Sequence, residues 1–340
     1  MRDSATTPAD DGFVPLRVRQ VVRETADAVS LVFDQPAAPE FRYLSGQFIT
    51  LSVWIGGTEH RRCYSMSSAP ALDEHLQITV KRDRDGVVSN WLNTSVSVGD
   101  ELHAAPPQGR FVMSSHAREL VAFAGGSGIT PVYSLVRSAL ETTDRNARLL
   151  YANRNRDSVI FAQNLTELQE RHAGRFAVHH HIDDQDGILT TAQVESFAPV
   201  SSDAEFYICG PGPFMDTVEK ALLSAGVSAE RLHLERFTVG QSASQSDGTV
   251  TEAVTIELNR RTVTLPYRAG NTLLQTARLG GLKAPSSCET GSCGTCMAQV
   301  VEGSARMLNN DALDEDEVAE GWVVTCQALP TSRTVTVVYE

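Results

Sequence analysis

From Phe13 onward the chain is written in short stretches of alternating apolar and polar positions, each closed by Gly, Pro or Asp. Residues 16–22 (LRVRQVV), 28–33 (AVSLVF), 46–51, 63–66 and 76–80 all read this way. Period-two alternation over so few residues predicts half-buried strands. Several such strands in succession, separated by turns and with no helix between them, predict an antiparallel barrel rather than βαβ units. The pattern ends near 107–111 (PQGRF).

At Glu119 the rhythm changes. Residues 120–124 (LVAFA) form a short run with no polar position, followed by glycines and a helix-like stretch over 131–141. Further apolar strands are expected at 148–152, 176–178 and 205–209, with helices over 160–171 and 213–225 between or after them. Strands alternating with helices predict a parallel α/β sheet covered on both faces. Residues 238–249 (TVGQSASQSDGT) have a linker composition. Beyond them strands are expected at 254–258 and 261–265, and a helix at 272–279. The expected organisation is a disordered arm (1–12), an antiparallel β-barrel (13–112), a parallel α/β domain (113–237), a linker (238–249) and a third unit (250–340). No internal repeat is present.

Composition narrows the partners. Among 340 residues, 29 Lys and Arg face 42 Asp and Glu, for a net charge of −13. Nucleic acid and anionic membranes call for clustered cations, so neither is expected as the main partner. No apolar run approaches the roughly 20 residues of a membrane span, and the polar N-terminus MRDSATTPADDG lacks the apolar core of a secretory signal. A cytoplasmic, monomeric protein is the expectation.

Of six cysteines, Cys288, Cys293, Cys296 and Cys326 lie close to the C-terminus with the spacing C-x4-C-x2-C-x29-C. That is the plant-type [2Fe–2S] pattern. Two irons and two sulfides need four converging thiolates, and Gly291, Ser292, Gly294 and Thr295 supply small residues and backbone N–H groups to wrap them. A zinc site is the competing reading, but zinc favours paired C-x2-C knuckles and only one pair has that spacing. Nearby, six acids fall within 311–320, either a solvated helix face or a patch that steers a basic partner.

Two further motifs carry chemistry. Arg62-Cys63-Tyr64-Ser65 lies on an expected strand. An Arg suits a pyrophosphate, a Tyr ring can cover an isoalloxazine, and a Ser hydroxyl can reach a ring nitrogen. Val80 and Lys81 follow, and then Gly86-Val87-Val88-Ser89 opens a helix, where N–H groups make an anion site. Gly125-Gly126-Ser127-Gly128-Ile129-Thr130-Pro131 follows an apolar strand and opens another helix, the setting a nucleotide phosphate needs, though it is not G-x-G-x-x-G. Cys209-Gly210-Pro211 ends a parallel strand, where ligands of open α/β sheets bind. Cys209 alone also fits a small buried apolar residue. His179-His180-His181 is not expected to ligate a metal.

In order, these motifs resemble the ferredoxin–NADP reductase superfamily fused to a C-terminal plant-type ferredoxin. Within it, RCYSMSS (62–68), VKRDRDGVVSNWL (80–92), GSGITPV (126–132), YANRNRDSVIF (151–161), ICGPGPFM (208–215), RLHLERF (231–237) and TCQALP (325–330) look most like the reductase component of 3-ketosteroid 9α-hydroxylase systems. The resemblance implies a β-grasp fold for the third unit, and FAD, NADH and one [2Fe–2S] cluster as cofactors. It implies that Arg62, Cys63, Tyr64, Ser65, Val80 and Lys81 contact the flavin, with Gly86, Val88 and Ser89 at its pyrophosphate. Gly125, Gly126, Gly128, Pro131, Gly210 and Pro211 would cradle the nicotinamide nucleotide, with Asn153 and Arg154 at its adenosine end. Thr130 would sit near both rings, Cys209 beside nicotinamide C4, and Phe237 over the flavin. The implied activity carries electrons from NADH through FAD and the cluster to a partner terminal oxygenase, of Rieske type. Delivery to a di-iron oxygenase such as phenylacetyl-CoA epoxidase, delivery to a desaturase, and an NADPH-linked electron carrier are the alternatives. A redox sensor that does not turn over is the reading from another class.

Overall fold

A computed structural model describes residues 12–34, 39–114, 119–198, 204–237, 251–287, 289, 291–310 and 312–339. The expected arm, apart from Gly12, and the expected linker lie outside the described residues, as does Cys288. Contacts divide the chain into two compact units, 1–237 and 238–340.

The first unit begins with β1 (Val14–Thr25), β2 (Ala28–Phe33), β3 (Phe48–Ile55), β4 (Thr58–Ser65), β5 (Gln77–Lys81), α1 (Val87–Thr94) and β6 (Glu101–Ala104). The strands hydrogen-bond in the order β4-β3-β6-β1-β2-β5, and an antiparallel bridge between Met66 and Ile78 brings the two edges together. β1 pairs first with β6 and then with β2, and a register shift between Val18 and Gln20 lets one strand serve both. The alternating apolar residues point inward: Leu16, Leu31, Phe33, Ile49, Leu51 and Ile78 are essentially inaccessible. The barrel expected from the alternation is present. β6 was not foreseen.

The same unit continues with β7 (Glu119–Gly125), α2 (Ile129–Thr142), β8 (Asn146–Asn153), α3 (Ala162–Arg171), β9 (Phe176–Ile182), α4 (Asp183–Asp186), α5 (Thr191–Phe197), β10 (Ala204–Gly210), α6 (Gly212–Ser224) and β11 (Leu232–Arg236). All five strands are parallel, in the order β11-β10-β7-β8-β9. The chain travels outward from β7 through β8 to β9, then returns to the other side of β7. The strand order therefore reverses between β7 and β10, and such a point opens a crevice at the carboxyl ends of the strands. Gly125 and Cys209 stand at that point.

Helix α2 fastens this half to the barrel. Arg137 grips Asp73 through two bonds of 2.6 and 2.8 Å, and Asp73 also accepts from the Ala69 amide at 2.7 Å. Ser134 donates to the Ser68 carbonyl at 2.6 Å, and the buried Ser45 and Ser138 hydroxyls meet at 2.5 Å. Phe111, where the barrel ends, packs edge-on against Tyr207 of β10.

The second unit has β12 (Ala253–Leu258), β13 (Arg261–Pro266), α7 (Leu273–Leu279), β14 (Met297–Glu302), β15 (Ala305–Met307), α8 (Glu315–Ala319), β16 (Trp322–Val324), β17 (Ala328–Pro330) and β18 (Thr334–Val338). Its main sheet runs β13-β12-β18-β14-β16, with β12 and β18 parallel and the other pairs antiparallel. The two-residue turn Asn259-Arg260 has both φ angles positive, as a tight hairpin of this twist requires. α7 lays Leu273 and Ala277 into the apolar core formed by this sheet. Among the described residues no helix is long and apolar enough to cross a membrane.

Candidate functional site

At the end of β4, Arg62 is exposed, Cys63 and Tyr64 are half-buried and Ser65 is buried, without the strict alternation of two faces. Arg62 donates to the Arg61 carbonyl at 2.7 Å, Cys63 Sγ lies 3.4 Å from Thr50 Oγ1, and burial pushes the Tyr64 phenol well above its ordinary range. Ser65 Oγ donates to Glu235 Oε2 at 3.0 Å. Glu235, on β11, is the residue paired with Cys209 in the parallel register with β10. The structure thus brings together the serine of the barrel motif, the cysteine at the strand end and a buried carboxylate that the sequence reading did not single out. Its one signal was the alternation of Leu232 and Leu234 with polar residues, the mark of the unforeseen β11.

Val80 and Val88 are buried in the barrel core, so only their backbones can meet a ligand. Ser89 Oγ accepts from the Asp83 amide at 3.0 Å and donates to the Gly86 carbonyl at 3.2 Å, which shapes the loop that opens α1. Lys81 Nζ lies 3.9 Å from where a side chain at Gly126 would begin, above the glycine loop. Burial lowers the Lys81 pKa; Asp27 opposes that shift and Arg154 adds to it.

The glycine loop is packed against β10. A methyl group on Gly128 would come within 2.1 Å of the Cys209 carbonyl oxygen, so only glycine allows α2 to start this close to the neighbouring strand. Thr130 is buried and its hydroxyl donates to the Ser127 carbonyl at 3.1 Å, with Pro131 following in the first turn of α2. Tyr151 donates to the Gly126 carbonyl at 3.0 Å, bracing the loop from β8. Cys209 is fully buried, within the core that α2 covers, and Gly210 closes its strand before Pro211 at the start of α6. Phe237, just past β11, is 43% exposed.

At the carboxyl end of β8 the Asn153 amide is buried, yet neither its oxygen nor its nitrogen has a well-formed hydrogen bond. The neighbouring Tyr151 hydroxyl is already engaged by the Gly126 carbonyl and the Ile160 amide. A buried amide left so is costly unless a ligand satisfies it, and the crevice is where a nucleotide would do so. Arg154 is ion-paired with Asp27 at 3.3 Å, and Arg156 meets Gln185 at 3.4 Å. Three aspartates, Asp183, Asp184 and Asp186, form α4 at the end of β9. His179, His180 and His181 alternate along edge strand β9 and do not converge: His179 faces Phe197, His180 faces Tyr151, and His181 bonds the Gly187 carbonyl at 2.8 Å.

In the second unit Cys296 and Cys326 are buried and Cys293 is half-buried. The Cys326 amide points at Cys296 Sγ across 3.5 Å, the kind of N–H contact that favours a thiolate. Thr325 donates to the Cys296 carbonyl at 2.8 Å and accepts from Tyr339 at 2.9 Å. Gly291, with φ +89°, turns the loop so tightly that a methyl group there would lie 2.7 Å from the Asn309 carbonyl oxygen. Among the described residues no three His, Cys, Asp or Glu side chains could hold a single ion. A [2Fe–2S] cluster does not ask for that, because each iron takes two thiolates and shares two sulfides. Among the described residues, the buried Cys296 and Cys326, brought together by that N–H contact, are donors of the kind such a cluster takes. The acids of 311–320 are partly structural: Asp314 caps α8 through a 2.9 Å bond from the Glu317 amide, and Glu315, Asp316 and Glu317 occupy its first turn, where carboxylates are favoured.

Fold and site together define a flavin- and pyridine-nucleotide-dependent oxidoreductase joined to a [2Fe–2S] ferredoxin unit. Family models agree: an oxidoreductase FAD-binding domain matches residues 15–113, an oxidoreductase NAD-binding domain 123–220, and a 2Fe–2S iron–sulfur cluster binding domain 256–331. The chain is 37% identical over 350 residues to the 3-ketosteroid-9-alpha-monooxygenase ferredoxin reductase component of Mycolicibacterium smegmatis, covering 98% of this chain and 99% of that protein. It is 32% identical to one of the subunits of 1,2-phenylacetyl-CoA epoxidase from Escherichia coli, over 96% and 98% of the two chains. Among solved structures, phthalate dioxygenase reductase superposes with a TM-score of 0.69 at 26% identity, covering 98% of this chain and all of that one. The chain belongs to the family of iron–sulfur flavoprotein reductases that act as reductase components of oxygenase systems.

Proposed function

We propose that this chain oxidises NADH and passes the electrons singly to a Rieske-type terminal oxygenase acting on a 3-ketosteroid or a similar hydrophobic compound, and that it works as a cytoplasmic monomer. The observation that carries the redox site is the bond from Ser65 to Glu235, with Glu235 in register with Cys209. It joins the barrel motif to the strand end where a nicotinamide would lie. Bound FAD, NADH and cluster would supply the conversion of a hydride into single electrons.

The protein's own part is position and proton traffic. Ser65 Oγ–H donated to Glu235 Oε2 gives a buried pair through which a proton can pass to or from a ring nitrogen above it. The start of α2, with Gly128 closing on β10 and Lys81 overhead, offers N–H groups and a cation to a pyrophosphate. The buried Asn153 amide, beside the Tyr151 hydroxyl, offers a donor and an acceptor at the adenosine end. Cys288, Cys293, Cys296 and Cys326 would hold the cluster. The acidic α4 supports a preference for NADH over NADPH, although Arg156 reaches Gln185 of the same helix. A 2′-phosphate would meet the three aspartates of α4, while Arg154 is already engaged by Asp27. The steroid end rests on the similarity to the 3-ketosteroid reductase components, since no residue of a reductase touches the oxygenase substrate.

The test is a visible spectrum of the purified chain, before and after anaerobic NADH or NADPH, followed by reconstitution with a 3-ketosteroid Rieske oxygenase. Flavin and iron–sulfur bands bleached faster by NADH, and steroid hydroxylation in the mixture, are expected. Faster bleaching by NADPH overturns the nucleotide choice, and hydroxylation absent despite bleaching overturns the partner.

A further inference from the structure

Arg278 closes the last turn of α7, and its Nη2 donates to Ser286 Oγ at 2.8 Å and to Glu289 Oε1 at 2.5 Å. Those two residues lie on either side of Cys288 in sequence. Glu289 sits in the left-handed region, with φ +57°, and its carbonyl accepts from Gln327 Nε2 at 2.7 Å. Gln327 is buried and directly follows Cys326, and its side chain packs against the tight turn at Gly291. The loop that leads into the cysteines is thus tied from two sides. One tie comes from the helix through a charge and the other from the Cys326 segment through an amide. Glu289 directly follows Cys288 and its partner Gln327 directly follows Cys326, so the pair is tied to the chain beside two of the cysteines.

The Arg278–Glu289 pair is partly exposed, at 44% and 33%. An ion pair so exposed adds little to folding, so stability alone gives it little to do. Its location gives it more. A [2Fe–2S] cluster gains one negative charge on reduction, and fixed charges and hydrogen bonds around it act differently on the two oxidation states.

We propose that the Arg278–Glu289 pair, braced by Gln327, positions the loop around the cluster and balances the local charge that sets the cluster's reduction potential. This rests on the reading of the four cysteines as the cluster ligands. Arg278 and Glu289 are positioning residues and take no part in electron transfer themselves.

The test compares R278Q, R278K, E289Q and the R278Q/E289Q double variant in the full chain. Each is assayed for iron and acid-labile sulfide, then titrated anaerobically, with the cluster followed by visible absorption and electron paramagnetic resonance. R278Q strands a carboxylate beside the cluster and is expected to shift the midpoint to lower potential. E289Q strands a cation and is expected to shift it higher. The double variant should fall between them, and R278K, which keeps the charge, should stay nearer the native value than R278Q. Fully loaded single variants with unmoved potentials, or with potentials moved in the same direction, overturn the proposal. Should R278Q lose its iron, E289Q decides alone: a potential at or below the native one overturns it. A native chain devoid of iron and sulfide is a different failure, that of the cluster reading itself.

Discussion

Ser65 and Glu235 stand 170 positions apart, yet their side chains form one buried donor–acceptor pair. Removing one partner of such a pair costs more than the bond itself, because the remaining group keeps its desolvation penalty. At a site that handles protons the loss falls on rate as well. Ser65→Ala is expected to slow flavin reduction by NADH about 100-fold, the scale of losing one positioned donor. Glu235→Gln, which keeps the volume and removes the charge, should slow it comparably. Stopped-flow absorbance of the flavin band measures both, with flavin content checked first. Native rates in both variants would remove the pair from the reaction.

Between residue and domain, the glycine loop at the start of α2 shows how one element depends on its neighbour. β10 is hydrogen-bonded to β7 on one side and β11 on the other, so its end cannot retreat from a methyl group on Gly128. Gly128→Ala is expected to cost about 1–3 kcal/mol, the usual penalty of overpacking, and to weaken nicotinamide binding. Gly212→Ala, at the start of α6 where nothing lies within 4 Å, should be close to neutral. Urea unfolding of the two variants side by side reads the difference. The long apolar runs of β7, β8 and β10 and the helix α2 were legible in the sequence because their periodicity is local. β6, four residues long and carrying Glu101 and His103, and β11, half polar, have too little pattern to stand out. Arg62, Tyr64 and the spacing of the cysteines could be picked out by local motif. Glu235, Asp27 and Arg278 could not, because each acquires its partner only through strand register or helix packing.

At the scale of the molecule, each compact unit has a hydrophobic core of its own. The barrel and the α/β half are joined by α2, whereas residues 251–339 bury Val254, Ile256, Leu273, Val335 and Val337 around a separate centre. Beside that centre lies a smaller cluster of Leu274, Ala312, Leu313 and Val324 in which Cys296 and Cys326 are themselves packing residues. A bound cluster would contribute part of the order there, as metal does wherever ligands converge only in the folded state. Reductive removal of iron from the full chain should therefore lower or abolish one calorimetric transition and leave the other in place. In the same sample NADH should still bleach the flavin, since Ser65, Glu235, Cys209 and the glycine loop all belong to the first unit. Electron transfer to a cluster-dependent acceptor should be lost. If iron removal shifts both transitions together, the two units do not fold independently and the division of labour between them fails.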